Sequence, residues 1–292
     1  MVKSNISDKH HKAGMTAPNA SSRSKVFADL HVHTTFSDGQ DTPGQVVSKA
    51  LEKGLEAIAI TDHDTVVGIV DAMRAADGTS LRIIPGIEMS TQGGRHLVGL
   101  FVDTACEELS EFCDFMRNYR TEWAEEVVKK LDEKGIETIS FKDLMEEVGK
   151  GVFGKPQIAK MALGYYKKKE IKEFIETYLD KNMPAYEGKD KKTMEECINI
   201  VIKAGGIPVL AHPFSDKSEK VDDHDKLVEL GLKGIEIHYP DQTPEGKEKH
   251  LKKAKELGLA ICGGSDHHDG DGLGKYGVNE EEFKKLEALV QS

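Results

Sequence analysis

Histidine and aspartate concentrate in three stretches far apart in the chain: Asp29-Leu30-His31-Val32-His33 with Asp38, Thr61-Asp62-His63-Asp64, and Ser265-Asp266-His267-His268. Imidazole nitrogens and carboxylate oxygens brought together bind divalent cations, and an ion with an open position generates hydroxide near neutral pH. A phosphoester needs its charge neutralised, its phosphorus open to in-line attack and a hydroxide close by. Two ions roughly 3.5–4 Å apart, bridged by a carboxylate and a water, supply all three. The residues therefore point to a multinuclear metal hydrolase whose expected substrates are phosphate esters.

Such chemistry needs elements that converge. Val26 to Val32 reads as a strand, and its period of two puts Asp29, His31 and His33 on one face. Asp38 follows in the polar turn Ser37-Asp38-Gly39. Thr42-Pro43-Gly44-Gln45 is a capping box with proline at the first position, opening a helix whose stripe is Val46, Val47, Ala50 and Leu51. Leu55 to Ile60 is an apolar strand with Asp62, His63 and Asp64 just beyond it, and a helix from about Val66 to Ala76 comes next. Leu81 to Ile87 is a strand ending at Glu88. Gln92-Gly93-Gly94-Arg95 is a hairpin turn into a strand from His96 to Val102.

From Thr104 to Lys189 the period becomes helical: Leu109, Phe112, Phe115, Met116 and Tyr119, then Trp123, Val127 and Leu131. The alternation of strand and helix returns with the capping box Thr193-Met194-Glu195-Glu196. Strands follow at Ile207–Ala211, before His212, at Gly234–Ile237, with Glu236 and His238, and at Leu259–Cys262, before Asp266. Seven strands emerge, with the chemical residues at their C-terminal ends, the face on which closed α/β barrels build active sites. The expected organisation is a barrel over 26–103 and 190–292, a helical subdomain inserted over 104–189, and a tail over 1–25 that is disordered or an added extension.

Each residue alone has a plainer reading. Asp38 suits a turn, Asp62 and Asp64 suit helix caps, Glu88 suits a surface and His96 a core. His10 and His11 fall in the polar tail. Glu236 and His238 fit structural roles as well as chemical ones. Convergence of the whole set, rather than any single residue, carries the metal reading.

Composition sets the outer bounds. The 292 residues are 38% hydrophobic and 31% charged, with net charge -11, which argues against broad attraction to nucleic acid or anionic membranes. No apolar run reaches membrane-spanning length. Cys106, Cys113, Cys197 and Cys262 form no Cys-x-x-Cys pair, as in a reduced cytoplasmic protein.

The motifs resemble the PHP (polymerase and histidinol phosphatase) family of metal-dependent phosphoesterases. The resemblance rests on Asp29–His33 with Ser37-Asp38-Gly39, Ile60–Thr65, Pro85-Gly86-Ile87-Glu88, Val209–Pro213 and Gly264–His268, in that order. It is nearest to the branch that carries a helical insertion and includes nucleotide phosphatases and RNA-end exonucleases. It implies a distorted, TIM-like (β/α)7 barrel holding two to three divalent cations. By motif position His31, His33, Glu88 and Asp266 would hold one ion. Glu88, His96 and His212 would hold a second, and Asp38, His63 and His268 a third. Mixed nitrogen and oxygen donors suit Mn, Fe or Zn alike. Glu88 would thus bridge the ions whose hydroxide attacks phosphorus, and Asp64 and His267 are candidates, with metal-bound water, for the leaving-group acid.

Gly154-Lys155-Pro156-Gln157 resembles a family Gly-Arg-Pro-His segment that contributes to phosphate binding, with Lys155 as the candidate contact here. Lysine for arginine and glutamine for histidine are departures, as is the lack of an arginine soon after His212-Pro213. The expected partner is a small phosphorylated substrate, nucleotides included, with no membrane and no stable nucleic-acid complex. Alternatives are a 5′-to-3′ exonuclease on short oligonucleotides, a histidinol phosphatase, a metal amidohydrolase, and a non-catalytic metal-binding regulatory module.

Overall fold

Short apolar strands, each closed by polar residues, frame the molecule. The computed structural model describes residues 25–136, 140–164, 167–179, 191–213, 223–240 and 242–290. The chain runs β1 (Ala28–Val32), α1 (Pro43–Glu52), β2 (Ala57–Ile60), α2 (Gly68–Ala76), β3 (Arg82–Ser90) and β4 (His96–Leu100). Helices α3 (Glu107–Glu133), α4 (Phe141–Val148), α5 (Lys155–Leu163) and α6 (Lys168–Phe174) follow, the last running into a π turn at Ile175–Leu179. Then come α7 (Met194–Lys203), β5 (Ile207–Leu210), α8 (His224–Glu229), β6 (Gly234–His238), α9 (Pro244–Leu257), β7 (Ala260–Gly263) and α10 (Glu280–Val290). Of the expected tail only Lys25 is described, and His10 and His11 lie outside the described residues.

The seven strands form one sheet in chain order. Strands β1, β2 and β3 pair in parallel, as do β5, β6 and β7, while β4 is antiparallel to both neighbours. The cause is local. The turn at Gln92–Arg95 is too short for a crossover helix, so β4 must fold back along β3. The sheet curls until the segment after β7 meets β1: the His33 N–H donates to the His267 carbonyl at 3.0 Å, and the His267 N–H to that of His31 at 3.4 Å. The result is the expected α/β barrel, nearly closed and distorted by its one reversed strand.

Strands β1, β2 and β5 are buried along their whole length, as strands covered on both faces must be. Leu30, Ala57, Ala59, Val98, Val209 and Cys262 share one core, and Val32, Ile58 and Ile60 pack against α1 and α2 in another. Both expected capping boxes form: the Thr42 N–H donates to Gln45 Oε1 at 2.8 Å, and the Thr193 N–H to Glu196 Oε2 at 2.8 Å.

Several boundaries differ from expectation. Helix α2 starts at Gly68 with no side-chain cap, so neither Asp62 nor Asp64 is a cap. Strand β3 continues past Glu88 because pairing with β4 extends to Ser90 opposite His96. Helices α8 and α10 were not anticipated. Phe283 and Leu286 of α10 join the barrel core, a contact no local period reveals.

Between β4 and β5 every regular element among the described residues is a helix. The first half of α3, through Leu109, Phe112 and Met116, joins Met89, Leu97 and the α7 residues Ile198 and Val201 in a third core. Its second half, through Trp123, Val127 and Leu131, packs with Leu144, Phe153, Ile158, Ile171 and Phe174. One long helix thus belongs to two cores. No helix among the described residues is long and apolar enough to cross a membrane.

Candidate metal centre

The ends of the strands deliver histidines and carboxylates to one place. His31 and His33 leave β1, His63 follows β2, Glu88 and His96 face each other across β3 and β4, His212 follows β5, and Asp266 and His268 follow β7. Backbone strain marks the exits: Asp64, His212 and Asp266 have φ of 53°, 22° and 50°, values that cost energy for any residue with a Cβ. Gly264 lets the last loop approach, since a Cβ there would lie 2.3 Å from the His31 nitrogen.

Glu88, 1% exposed, sits at the middle with its oxygens turned to different partners. Oε2 lies 3.2 Å from His31 Nε2, 3.1 Å from His33 Nε2 and 3.1 Å from His63 Nδ1. Oε1 lies 2.8 Å from His96 Nδ1 and 2.8 Å from His212 Nε2. Asp266 Oδ1 completes the first group, 3.2 Å from His33 Nε2. Asp38 Oδ1 lies 3.1 Å from His268 Nε2, and Asp38 Oδ2 3.8 Å from His63 Nε2.

Three groups with donor atoms within 4.8 Å of one another result: His31-His33-Glu88-Asp266, His63-Glu88-His96 and His33-Asp38-His63-His268. His31 Nε2, His33 Nε2, His63 Nδ1, Asp38 Oδ1 and Glu88 Oε2 are buried without a hydrogen-bond partner. Buried polar atoms in that condition are costly. Lone pairs converging from imidazoles and carboxylates fit divalent cations, which would satisfy all of them together.

The outer nitrogens are held in the matching sense. His31 Nδ1 lies 3.0 Å from Glu236 Oε1, His268 Nδ1 2.9 Å from the Asp266 carbonyl, and His33 Nδ1 3.4 Å from Ser37 Oγ. Ser37 in turn donates to Asp62 Oδ1 at 2.7 Å. Donation from Nδ1 fixes the tautomer and leaves each Nε2 lone pair facing inward. Burial pushes His268 down, yet the Asp38 and Asp266 carboxylates outweigh it and hold it at about 10. Burial likewise opposes the Glu88 contact that holds His212 at about 9. His63 is the exception, kept neutral by burial at about 3.

Comparison with known proteins agrees with this geometry. The PHP domain model matches residues 29–184. The chain is 30% identical over 261 residues to a phosphoribosyl 1,2-cyclic phosphate 1,2-diphosphodiesterase of Eggerthella lenta, covering 86% of this chain and 96% of that one. The chain belongs to the PHP domain family. A 3′,5′-nucleoside bisphosphate phosphatase of Chromobacterium violaceum is 28% identical over 270 residues, covering 87% of this chain and 91% of the relative. A crystal structure from Bifidobacterium adolescentis, assigned as a metal-dependent phosphoesterase, superposes with TM-score 0.80 at 26% identity over 90% of this chain and 96% of that one. This PHP protein is a metal-dependent phosphoesterase.

Two expected residues are misplaced for their expected role. Asp64 is fully buried and accepts from Arg120 Nε at 2.8 Å, so its side chain faces Arg120 rather than the place of a leaving group. His267 is 1% exposed, and its Nε2 lies 2.8 Å from Asp41 Oδ2. Its ring thus faces Asp41 rather than the cluster. Asp29, on the same strand as His31, binds the Ser265 and Gly274 N–H groups at 2.8 and 2.7 Å and pins the last loop instead. His238 lies outside the cluster, 3.2 Å from Glu282 Oε1.

Lys155 opens α5, whose preceding Gly154 backs onto the cluster: a Cβ on Gly154 would lie 3.4 Å from Asp38 Cβ. Gln157 folds back, its Oε1 accepting the Gly154 N–H at 3.0 Å. Sequence reading missed Arg120 and Asp41 and left Glu236 unassigned. A signal existed for Arg120, which stands four residues after Met116 on a buried stripe where a charge demands a partner.

Proposed function

We propose that the chain hydrolyses a small phosphorylated metabolite or nucleotide, a phosphomonoester or a cyclic phosphodiester. The observation that carries this reading is the split of Glu88, one carboxylate shared between His31-His33 on one oxygen and His96-His212 on the other. In this reading His31, His33, Glu88 and Asp266 hold one divalent ion, Glu88, His96 and His212 a second, and Asp38, His63 and His268 a third. Mn, Fe and Zn all suit these donors. Ions bound there neutralise phosphate charge and acidify water. Asp38 lies beside the N-terminus of α5, and the positive end of that helix would draw a phosphate towards the cluster. Lys155 adds a point charge at the same spot. The two relatives named above act on small phosphate esters of ribose or nucleosides, which supports a substrate of that size.

Phosphate release by the Mn-loaded protein tests the reading. The panel contains a 3′,5′-bisphosphonucleoside, a 5′-mononucleotide, a ribose cyclic phosphate, histidinol phosphate and a 5′-phosphorylated trinucleotide. Turnover of one of the small nucleotide or ribose esters is expected, and Lys155→Ala should raise its KM about tenfold, the loss of one charged phosphate contact. Preference for the trinucleotide would make the protein an exonuclease. Metal bound with no ester turned over would make it a regulatory module.

A further inference from the structure

Arg120 lies midway along α3, 3% exposed, on the stripe of Met116, Trp123 and Ala124. Its guanidinium makes four hydrogen bonds to separate parts of the chain. Nε and Nη2 donate to Asp64 Oδ2 at 2.8 and 2.5 Å, Nη2 also to Ser90 Oγ at 3.1 Å, and Nη1 to the Phe153 carbonyl at 2.6 Å. Packing alone does not call for this. An apolar side chain would fill the α3 stripe without desolvating two charges. The guanidinium instead holds two pieces of the site at a fixed separation.

One piece is the metal-facing edge of the barrel. Asp64 directly follows His63. Its N–H donates to the Glu88 carbonyl at 2.8 Å, and its Oδ1 accepts the Ser90 N–H at 2.7 Å. Asp64 thus grips β3 immediately after the Glu88 side chain, at the Glu88 carbonyl and the Ser90 N–H. The other piece is the approach to α5. Phe153 precedes Gly154 and Lys155, and the Val152 N–H donates to the Phe36 carbonyl at 2.9 Å. The Phe153 carbonyl held by Arg120 therefore lies between the contact to Phe36 and the packing of Gly154 on Asp38.

We propose that Arg120 is a positioning residue for phosphate: through Asp64 and Phe153 it sets where the α5 N-terminus and Lys155 stand over the cluster. It acts through these residues and not on the ligand itself. The identity of the ligand as a phosphate group rests on the phosphoesterase reading, whereas the link between the two pieces does not. Lysine cannot substitute, because a point donor lacks the planar fork that reaches Asp64, Ser90 and Phe153 together.

The test compares the full-length Mn-loaded protein with Arg120→Lys and with Ser90→Ala, which removes one bond and no charge. Metal stoichiometry, calorimetric affinity for inorganic phosphate and hydrogen exchange at the amides of 152–157 are measured for each. Arg120→Lys should keep the metal stoichiometry, bind phosphate about tenfold more weakly or worse, and exchange faster at 152–157, as expected for a misplacement on the scale of an ångström. On the best panel substrate its KM should rise more than its kcat falls, and Ser90→Ala should shift the same way by less. Unchanged phosphate affinity, KM and local exchange beside a lowered melting temperature would overturn the proposal. Failure of the native protein to bind phosphate would do so as well. If no panel ester is turned over, the functional reading fails, while phosphate affinity and exchange still decide the role of Arg120. If Arg120→Lys does not fold, Ser90→Ala with native exchange and phosphate affinity overturns the proposal.

Discussion

The barrel rim and the helical stretch between β4 and β5 place polar groups in opposite ways. On the rim, the cluster residues leave short strands whose positions are fixed by a continuous ladder and by local backbone strain at His212 and Asp266. His31, His33 and His268 are each then aligned by a second group, as Glu236 aligns His31. In the helical stretch, α4, α5 and α6 form a separate core with part of α3, tied to the rim among the described residues by long-range bonds such as Arg120 to Asp64 and Ser90, and Val152 to Phe36. Precision therefore resides where the metals would bind, and adjustability where the substrate would be gripped. A family can then keep one chemistry while its substrate changes.

Removing a rim residue should have the largest effect. His33→Ala, or Asp266→Asn to respect its left-handed backbone, should lower kcat by about a thousandfold or more, the several kcal/mol that a metal site supplies. Metal content by elemental analysis should fall in parallel, with the circular dichroism spectrum unchanged. Native activity in either variant with metal retained would show that the rim is not the catalytic part.

Glu236→Gln probes the alignment of the rim rather than its ligands. Glu236 Oε1 faces His31 Nδ1, and its Oε2 accepts the His212 N–H at 2.7 Å. An amide can satisfy only one of these two donors while also presenting its own N–H. Metal affinity or activity should drop about 10- to 100-fold, as for other residues that orient a ligand. Native affinity in a metal titration would mean that the β6 contact is incidental and the rim less exacting than the helical stretch.

Sequence spacing maps to space on a strand, which is why this rim could be read before folding. His31 and His33 two apart on β1, and Glu88 and His96 either side of a short turn, are near each other by local geometry alone. The fold class followed from the same strands. Arg120, 56 residues from Asp64, and Glu236, 205 residues from His31, meet only through tertiary packing, and no period encodes those encounters. Asp64 and His267 misled for a related reason. Membership in a His-Asp motif says which residues leave the strand, whereas the turn at φ of 53° decides which way Asp64 then points. Helix α10 escaped notice because its buried positions, Phe283 and Leu286, are too few to stand out among its charges.

The smallest expected effect separates the rim from the rest by pH. With metals removed, His212 and His268 are held protonated to about 9 and about 10, burial working against them and the neighbouring carboxylates prevailing. A group whose folded value lies above its unfolded one, about 6.5 for histidine, adds stability that is fully present below 6.5 and lost as pH rises to the folded value. The metal-free protein should therefore melt several degrees lower at pH 9.5 than at pH 6.5, since each kcal/mol moves Tm by roughly 2–4 °C in a domain of this size. Metal binding needs the same nitrogens deprotonated, so the loaded protein should gain relative to the free one over that interval. The gap between the two melting curves, measured by calorimetry across the pH series, should widen from pH 6.5 upward. Parallel curves would mean that protons and metal do not compete for His212 and His268, and that the stability of the rim is set, like that of the helical stretch, by packing alone.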